Sequence, residues 1–167
     1  EMKRAGTIGN AHAVFVGLGM SDLLPQAIEL GVAEHITLIE ELGHDSNDRE
    51  YRIPSAPLVE IYKSVDACAF PSLIETFAMI NIEAMAAGIP VISTDAPGCI
   101  ETINDGIDGL IAKAGDPIDL ARKMEQLQSS TDLQAKLSAA GQESVTNSFS
   151  WDVVGRQFED LYFYLTS

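Results

Sequence analysis

Basic residues are scarce in this chain. Only 10 of its 167 residues are lysine or arginine, against 25 aspartates and glutamates, so the formal net charge is −15. A surface of this sign repels nucleic acid phosphates and anionic lipid headgroups. We therefore expect no nucleic acid partner and no membrane contact through this part of the protein. An anionic small ligand remains compatible, because backbone amides at helix N-termini hold anions.

Cysteines and long apolar runs are scarce as well. The two cysteines, Cys68 and Cys99, are too few for a disulfide framework or a cysteine metal site, and both lie in apolar stretches. We expect buried, reduced thiols and a cytoplasmic location. The longest apolar run is interrupted by Glu83, Gly88 and Pro90, which argues against a membrane-spanning helix.

Short apolar runs alternate with helix-like segments along the chain. The predicted strands are residues 13–16, 36–39, 67–70, 91–94 and 110–111. The predicted helices are 21–30 with Ser21 as N-cap, 57–64, 78–87, 98–103, 117–127, 133–145 and 151–165, and residues 40–56 are predicted to form a loop. This alternation predicts an α/β fold with a Rossmann-like parallel sheet covered by helices on both faces. Because a doubly wound domain normally begins with a strand, and residues 1–9 resemble a helix end, we expect residues 1–167 to be a fragment holding one such domain.

A glycine-rich turn follows the first predicted strand. Gly17 and Gly19 flank Leu18, and amides at such a turn can point toward a phosphate because no side chain blocks them. The third glycine of a dinucleotide-binding fingerprint is missing, since Asp22 stands at that position. A phosphate-binding loop and a simple tight turn both remain open as interpretations.

Two carboxylates mark the segment around the third predicted helix, residues 78–87. That helix is apolar almost all round, which predicts burial, yet it contains Glu83. A buried carboxylate needs a partner, either a protein group or the hydroxyls of a ligand. Glu75 lies on the loop that leaves the third strand, at the sheet edge where α/β proteins bind ligands. The amides near Phe77 and Ala78 form a helix N-terminus suited to a diphosphate.

This segment resembles glycosyltransferase family 4, whose members are retaining enzymes of the GT-B fold. Glu75 and Glu83, separated by seven residues, are similar to the E-x7-E motif of that family. The neighbouring blocks agree in order and spacing: residues 64–72 resemble A-D-x-x-x-x-P-S, 83–92 resemble E-A-M-A-x-G-x-P-V-[IV], and 94–101, 104–110 and 149–151 resemble later blocks. The resemblance covers most of the chain from residue 13 and implies the C-terminal, nucleotide-sugar-binding half of such an enzyme.

The resemblance also implies roles for individual residues. Glu75 would contact the donor sugar near the reacting carbon, and Glu83 would bind the ribose hydroxyls. The loop at Gly17 and Gly19 would lie on the nucleotide side. The sugar and diphosphate would meet the backbone amides of four residues, Thr76, Phe77, Ala78 and Met79. The donor would be a UDP- or GDP-sugar, with no metal or other cofactor, and an N-terminal domain outside this chain would bind the acceptor.

The chain departs from the family at the donor loop. The family usually has E-G-F-G, whereas Thr76 and Ala78 replace the two glycines and restrict the backbone. A basic pair and a histidine that the family uses have no counterpart, since Lys3 and Arg4 do not match in context. These departures leave open a second hypothesis, a non-catalytic binding or regulatory module. A third, a GT-B nucleotide-sugar epimerase, is disfavoured by the intact E-x7-E spacing and its flanks.

Several other residues are given structural interpretations. The three histidines match no family site and are expected to be solvated or structural: His12, His35 and His44. Glu101, near the start of a predicted short helix, would favour the helix dipole. The last helix has apolar residues at helical spacing, which predicts core packing: Phe158, Leu161, Tyr162 and Leu165. The resemblance adds that part of this face is exposed when the N-terminal domain is missing.

Overall fold

A computed structural model describes residues 1–42 and 54–166 and divides the chain into two units, Glu1–Ile61 and Tyr62–Ser167. Residues 43–53, which make up most of the predicted long loop, and His44 with them, lie outside the described residues. Both units contain parallel strands joined through helices, so the predicted α/β class is confirmed. That the whole chain forms a single domain stays a prediction.

The first unit contains two parallel strands. Its elements are α1 (Met2–Ala5), β1 (Ala13–Val16), α2 (Leu24–Glu29) and β2 (Ile36–Ile39). The β1 strand pairs with β2 in parallel, with Ala13 opposite Ile36. Both strands have the predicted bounds.

The predicted helix start at Ser21 is wrong. Residues Met20–Leu23 form a 3-10 turn whose N-cap is Gly19, and α2 begins only at Leu24. Pro25 explains this start, because a proline suits the first turn of a helix, where its missing amide hydrogen is not needed.

The second unit contains a three-stranded parallel sheet. The helix α3 (Ala56–Ser64) includes the boundary between the units and leads into β3 (Cys68–Ala69). There follow α4 (Met79–Ala86), β4 (Val91–Thr94), β5 (Leu110–Ala112), α5 (Pro117–Gln128), α6 (Thr131–Ser144) and α7 (Trp151–Thr166). The strands lie in the order β3-β4-β5, with β4 in the centre.

The central strand explains the stability of this unit. All four residues of β4 are buried, as expected for a parallel strand covered on both faces. One apolar cluster of the described residues joins two strands to two helices through Ile92, Leu110, Ala112, Leu127 and Leu137. Full burial of one large aliphatic side chain stabilises a fold by about 1.5–3 kcal/mol. The sheet edge that precedes the candidate site is therefore a rigid support.

The predicted short helix at 98–103 is wrong. The segment forms successive tight turns, in which the Cys99 amide donates to the Ala96 carbonyl and the Thr102 amide donates to the Cys99 carbonyl. Gly98 has a φ of 79°, a left-handed conformation that interrupts a right-handed helix. Glu101 is exposed and has no helix N-terminus beside it, so its predicted role is wrong as well.

Two predictions about helix burial also need correction. The first turn of α4 is not buried all round, because Met79 is 54% exposed and Ile80 37% exposed, although Ala84 and Met85 are buried. No residue of α7 is buried, and Phe158 and Tyr162 are 57% and 68% exposed. Helical spacing shows which residues share a face but not what covers that face.

None of the helices in the described parts of the chain is long and apolar enough to cross a bilayer.

Candidate functional site

Glu75 lies on the loop between β3 and α4 and is bound to the end of β4. Its amide donates to the carbonyl of Pro97 at 3.0 Å, and its Oε1 accepts from the Ser72 hydroxyl at 3.0 Å. Ser72 is bound in turn, since the Thr94 hydroxyl donates to its carbonyl at 2.6 Å. The carboxylate is half-buried at the carboxyl end of parallel strands, where α/β proteins bind ligands.

Gly98 packs directly against the backbone of this loop. A Cβ placed on Gly98 would lie 2.3 Å from the carbonyl oxygen of Glu75 and 2.9 Å from the carbonyl carbon of Thr76. Only glycine allows this approach, and its φ of 79° adds a second reason for glycine. Sequence analysis missed this contact, although the Pro97-Gly98 dipeptide is a turn signal that could have indicated it.

Ala78 has an unusual backbone for its residue type. Its φ of 40° and ψ of 51° are left-handed, and it is the single non-glycine residue with positive φ in the described ranges. This conformation costs an L-residue about 1–2 kcal/mol. The methyl group is buried against Ala96 and Cys99, which contributes to offsetting that cost. The loop thus adopts the shape that a glycine would favour, despite the departure from the family pattern.

The amides after Glu75 are the open part of the loop. Among the described residues, no backbone or side-chain acceptor receives a hydrogen bond from the amides of Thr76, Phe77 and Ala78. They precede Met79, the first residue of α4, whose N-terminal end has a partial positive charge. The ring of Phe77 makes an edge-to-face contact with Phe149, with centroids 6.0 Å apart. Unpaired amides at a helix N-terminus form an anion-binding arrangement.

Glu83 has a protein partner that sequence analysis missed. The Tyr62 hydroxyl donates to its Oε2 at 3.2 Å, and Tyr62 is only 3% exposed. Burial and then the charge of Glu83 raise the pKa of Tyr62, so the phenol stays protonated as a donor. Glu83 itself is half-buried and retains access to solvent. Of the partners left open from the sequence, the structure supplies a protein group on one oxygen; no local pattern around Tyr62 pointed to this contact.

A buried polar cluster connects α4 to β4 and to the turn at 97–102. Asn81 is fully buried, and its Nδ2 donates to Ser93 Oγ at 3.0 Å and to Thr102 Oγ1 at 2.9 Å. Thr102 Oγ1 donates to the Cys99 carbonyl at 2.9 Å. Buried polar networks of this kind fix the geometry of the elements they join. The helix that bears Glu83 is therefore tied to the turn that supports Glu75.

The glycine-rich turn of the first unit already binds a carboxylate. The Gly19 amide donates to Glu40 Oε2 at 2.8 Å, and the Ser21 amide donates to Glu40 Oε1. The Gly17 amide donates to the Ile39 carbonyl. Hydrogen bonds from Ser21 and then Gly19 hold the pKa of Glu40 below its ordinary value. This arrangement favours the tight-turn interpretation.

Two of the three histidines have structural partners. The His12 Nε2 lies 2.8 Å from the Thr37 hydroxyl, and the His35 Nδ1 lies 3.1 Å from the Ala11 carbonyl. Both pairings lie within the first unit and agree with the structural interpretation of these residues.

Comparison with known proteins gives a family match over most of the chain. Residues 3–144 match the family model described as glycosyl transferases group 1. The capsular polysaccharide biosynthesis glycosyltransferase CapM of Staphylococcus aureus is 32% identical over 104 residues, which are 62% of this chain and 27% of CapM. A D-inositol 3-phosphate glycosyltransferase of Corynebacterium diphtheriae is 30% identical over 140 residues, 83% of this chain and 32% of that protein. The chain thus spans about a third or less of the curated relatives it matches.

Solved structures agree on the fold. The C-terminal domain of a glycosyl transferase group 1 family protein from Francisella tularensis superposes with a TM-score of 0.64 at 26% identity, covering 78% of this chain and 62% of that one. Anabaena HepE in complex with UDP gives a TM-score of 0.77 at 22% identity, over 92% of this chain and 41% of HepE. The fold is therefore that of the C-terminal half of a GT-B glycosyltransferase, as predicted.

Proposed function

The chain belongs to the glycosyl transferases group 1 family, and on that premise we propose that it is the donor-binding half of a retaining glycosyltransferase. Its donor is a UDP- or GDP-sugar, and its acceptor is a glycan, lipid or small molecule. The observation that supports this most strongly is the loop at 75–78. This loop has a half-buried glutamate, three amides without an acceptor among residues 1–42 and 54–166, and a helix N-terminus, all at the carboxyl end of a parallel sheet.

Each part of this site has a chemical role in the proposal. The second carboxylate oxygen of Glu75 accepts a hydroxyl of the donor sugar, since Ser72 occupies the first. The diphosphate lies against the amides of four residues, Thr76, Phe77, Ala78 and Met79. These donors stabilise the charge that develops on the departing diphosphate, as preorganised amides do for other oxyanions. No metal is required in this proposal, and Glu75 contacts the sugar without being assigned as a covalent nucleophile.

The nucleotide end of the donor is assigned to Glu83. Glu83 accepts the ribose hydroxyls through the positions that Tyr62 leaves open. The donor-binding role that the resemblance gives to Gly17 and Gly19 stays a prediction, and the amides of both residues already have acceptors within the first unit. The UDP bound to the structurally similar HepE supports a uridine nucleotide.

The rest of the enzyme is also part of the proposal. Because the aligned residues are 27% and 32% of two curated relatives, the acceptor site is assigned to a domain outside this chain. CapM acts in capsular polysaccharide biosynthesis by its name, which makes a glycan acceptor the leading choice. Both cysteines are free thiols, and neither is exposed, which fits the proposed cytoplasmic location.

A second candidate function is a glycosyltransferase-like module that binds without catalysing transfer. Thr76, in place of a glycine, favours it, because its exposed side chain narrows the space beside the amides, and the left-handed strain at Ala78 adds to the departure from the family pattern. Sugar transfer by the full-length protein would exclude this candidate.

Titration by NMR tests the donor site in this chain. We expect UDP, GDP or their glucose conjugates to shift the amide resonances of residues 75–83, with weak affinity because the basic pair of the family is missing. We also expect no sugar transfer by the chain alone. Shifts confined to other residues would contradict the proposed site, and robust transfer by this chain would contradict the assignment of the acceptor site elsewhere.

A further inference from the structure

We propose that Tyr62 is a positioning residue for Glu83. Its hydroxyl holds one carboxylate oxygen so that the remaining acceptor positions of Glu83 face the ribose hydroxyls of a nucleoside diphosphate. The inference rests on the proposed function and assigns to that site a residue without a role so far.

The side chains of Tyr62 and Glu83 differ in conformational freedom before the hydrogen bond between them forms. Tyr62 lies in the last part of α3, 3% exposed, and its ring is therefore held by packing. Glu83 lies in α4, is half-buried, and has three rotatable side-chain bonds. Ordering such a side chain costs conformational entropy at the moment of binding unless something has already ordered it. A rigid phenol that donates to Glu83 at 3.2 Å removes part of that cost before the ligand arrives.

The hydrogen bond from Tyr62 leaves Glu83 with further acceptor positions for a ligand. An ionised carboxylate offers about four lone-pair positions, and the phenol occupies one of them. A diol such as the 2′,3′-hydroxyls of ribose needs two. Since the pKa of Tyr62 is raised by burial and by Glu83, the phenol keeps its proton and acts only as a donor toward this carboxylate.

The same arrangement occurs at the other glutamate of the site. Ser72 donates to Oε1 of Glu75 at 3.0 Å, and Tyr62 donates to Oε2 of Glu83 at 3.2 Å. In each case one carboxylate oxygen accepts a hydrogen bond from a side-chain hydroxyl, and the glutamate stays partly accessible. A buried tyrosine that needed only a hydrogen-bond partner could use a backbone carbonyl, so the choice of a half-exposed carboxylate favours a positioning role.

The experiment compares nucleotides that differ only in the ribose hydroxyls. Affinities of UDP and GDP, and of their 2′,3′-dideoxy analogues, are measured by NMR titration for the parent chain, Tyr62→Phe, Glu83→Gln and the double variant. Tyr162→Phe, which removes a hydroxyl from an exposed position of α7, is the matched control. Amide spectra of each variant check that the fold is intact.

We expect Tyr62→Phe to weaken binding of the preferred nucleotide about 5–10-fold, because the Glu83 side chain must then be ordered when the nucleotide binds, and to leave binding of the dideoxy analogue unchanged. Added to Glu83→Gln, it should have no further effect. The control should bind as the parent does.

The outcomes separate the two claims. If Glu83→Gln abolishes the preference for ribose hydroxyls but Tyr62→Phe keeps it, the positioning role is overturned and the proposed function stands. If Tyr62→Phe weakens binding of the nucleotide and of its dideoxy analogue equally, the role of Tyr62 is structural and the inference is again overturned. If the parent chain binds a nucleotide and its dideoxy analogue equally well, or binds neither of them, the ribose assignment of Glu83 is overturned and the inference with it.

Discussion

The turn after β1 and the turn after β3 are both strand-to-helix connections that involve a glutamate, yet they use it differently. In the first, the carboxylate of Glu40, at the end of β2, accepts hydrogen bonds from the amides of Gly19 and Ser21. The amides of this turn are therefore already occupied by a side chain of the protein, and we call it the closed turn. In the second, Glu75 is bound by Ser72, and the three amides that follow have no acceptor among the described residues. A glycine-rich pattern indicates the backbone shape of a turn. Whether the amides of that turn can bind a ligand depends on whether another group of the protein already accepts hydrogen bonds from them.

The largest effect should come from Gly98→Ala, which disturbs the support of the open turn. The new methyl would meet the Glu75 carbonyl at 2.3 Å, and the residue would be strained at a φ of 79°. We expect a loss of about 2–4 kcal/mol in the free energy of unfolding, measured by urea denaturation. The matched control is Gly106→Ala, with a φ of 74° and no atom within 4 Å of the added Cβ, which should lose only about 1 kcal/mol. Equal losses would show that the contact with Glu75 is unimportant.

The next effect concerns the carboxylate of the open turn. Glu75→Gln should weaken binding of UDP-glucose by about 1–3 kcal/mol through the lost charged hydrogen bond, while UDP itself binds as before. Stability should change little, because Gln keeps an oxygen for Ser72. Competition titrations of the two ligands measure the difference, with Glu101→Gln in the exposed turn as control. An equal loss for UDP would place Glu75 at the nucleotide rather than at the sugar.

A smaller effect is expected from Ala78→Gly. Relief of about 1–2 kcal/mol of left-handed strain is opposed by the loss of a buried methyl, about 0.8 kcal/mol, and by a more flexible unfolded chain. We expect the free energy of unfolding to stay within about 1 kcal/mol of the parent. Ala86→Gly, at an exposed helical position, should lose about 0.5–1 kcal/mol. A clear loss for Ala78→Gly alone would mean that its methyl, and not the backbone shape, determines the loop.

The smallest effect concerns the closed turn after β1, and it is measured by varying the pH. The pKa of Glu40 is lowered in the folded protein by bonds from Ser21 and Gly19, so its contribution is present above the ordinary glutamate pKa and is lost as the pH falls through the lowered value. In the parent, the amide resonances of Gly19 and Ser21 should shift over this acidic range, and in Glu40→Gln they should not. The amides of Thr76 and Phe77 serve as the comparison in the same spectra. A parent whose Gly19 and Ser21 resonances are insensitive to acid would contradict the closed turn.

Local signals in the sequence were sufficient for much of the fold. The strands at 13–16, 36–39 and 91–94 have their predicted bounds, because short apolar runs end at glycine or polar residues. The spacing of Glu75 and Glu83 located the candidate site because both lie within one continuous segment. Their hydroxyl donors differ in this respect: Ser72 is local, whereas Tyr62 is 21 residues from Glu83 and depends on how α3 packs.

The failures have a common cause. The predicted helix at 98–103 looked acceptable by composition, but a close approach to the Glu75 backbone requires Gly98 in a left-handed conformation. The apolar spacing of α7 predicted a packed face, and among the described residues no part of α7 is buried. Both depend on contacts between segments distant in the sequence, which periodicity does not report.

The exposure of the start of α7 has an optical consequence. Trp151, the sole tryptophan of the chain, follows Phe149 by two residues and is 87% exposed. Its emission therefore comes from a single, solvated indole at the start of α7, close in sequence to the ring that touches the donor loop. Coverage of the start of α7 by another surface would change the wavelength of that emission, so the chain contains its own fluorescent probe for that surface.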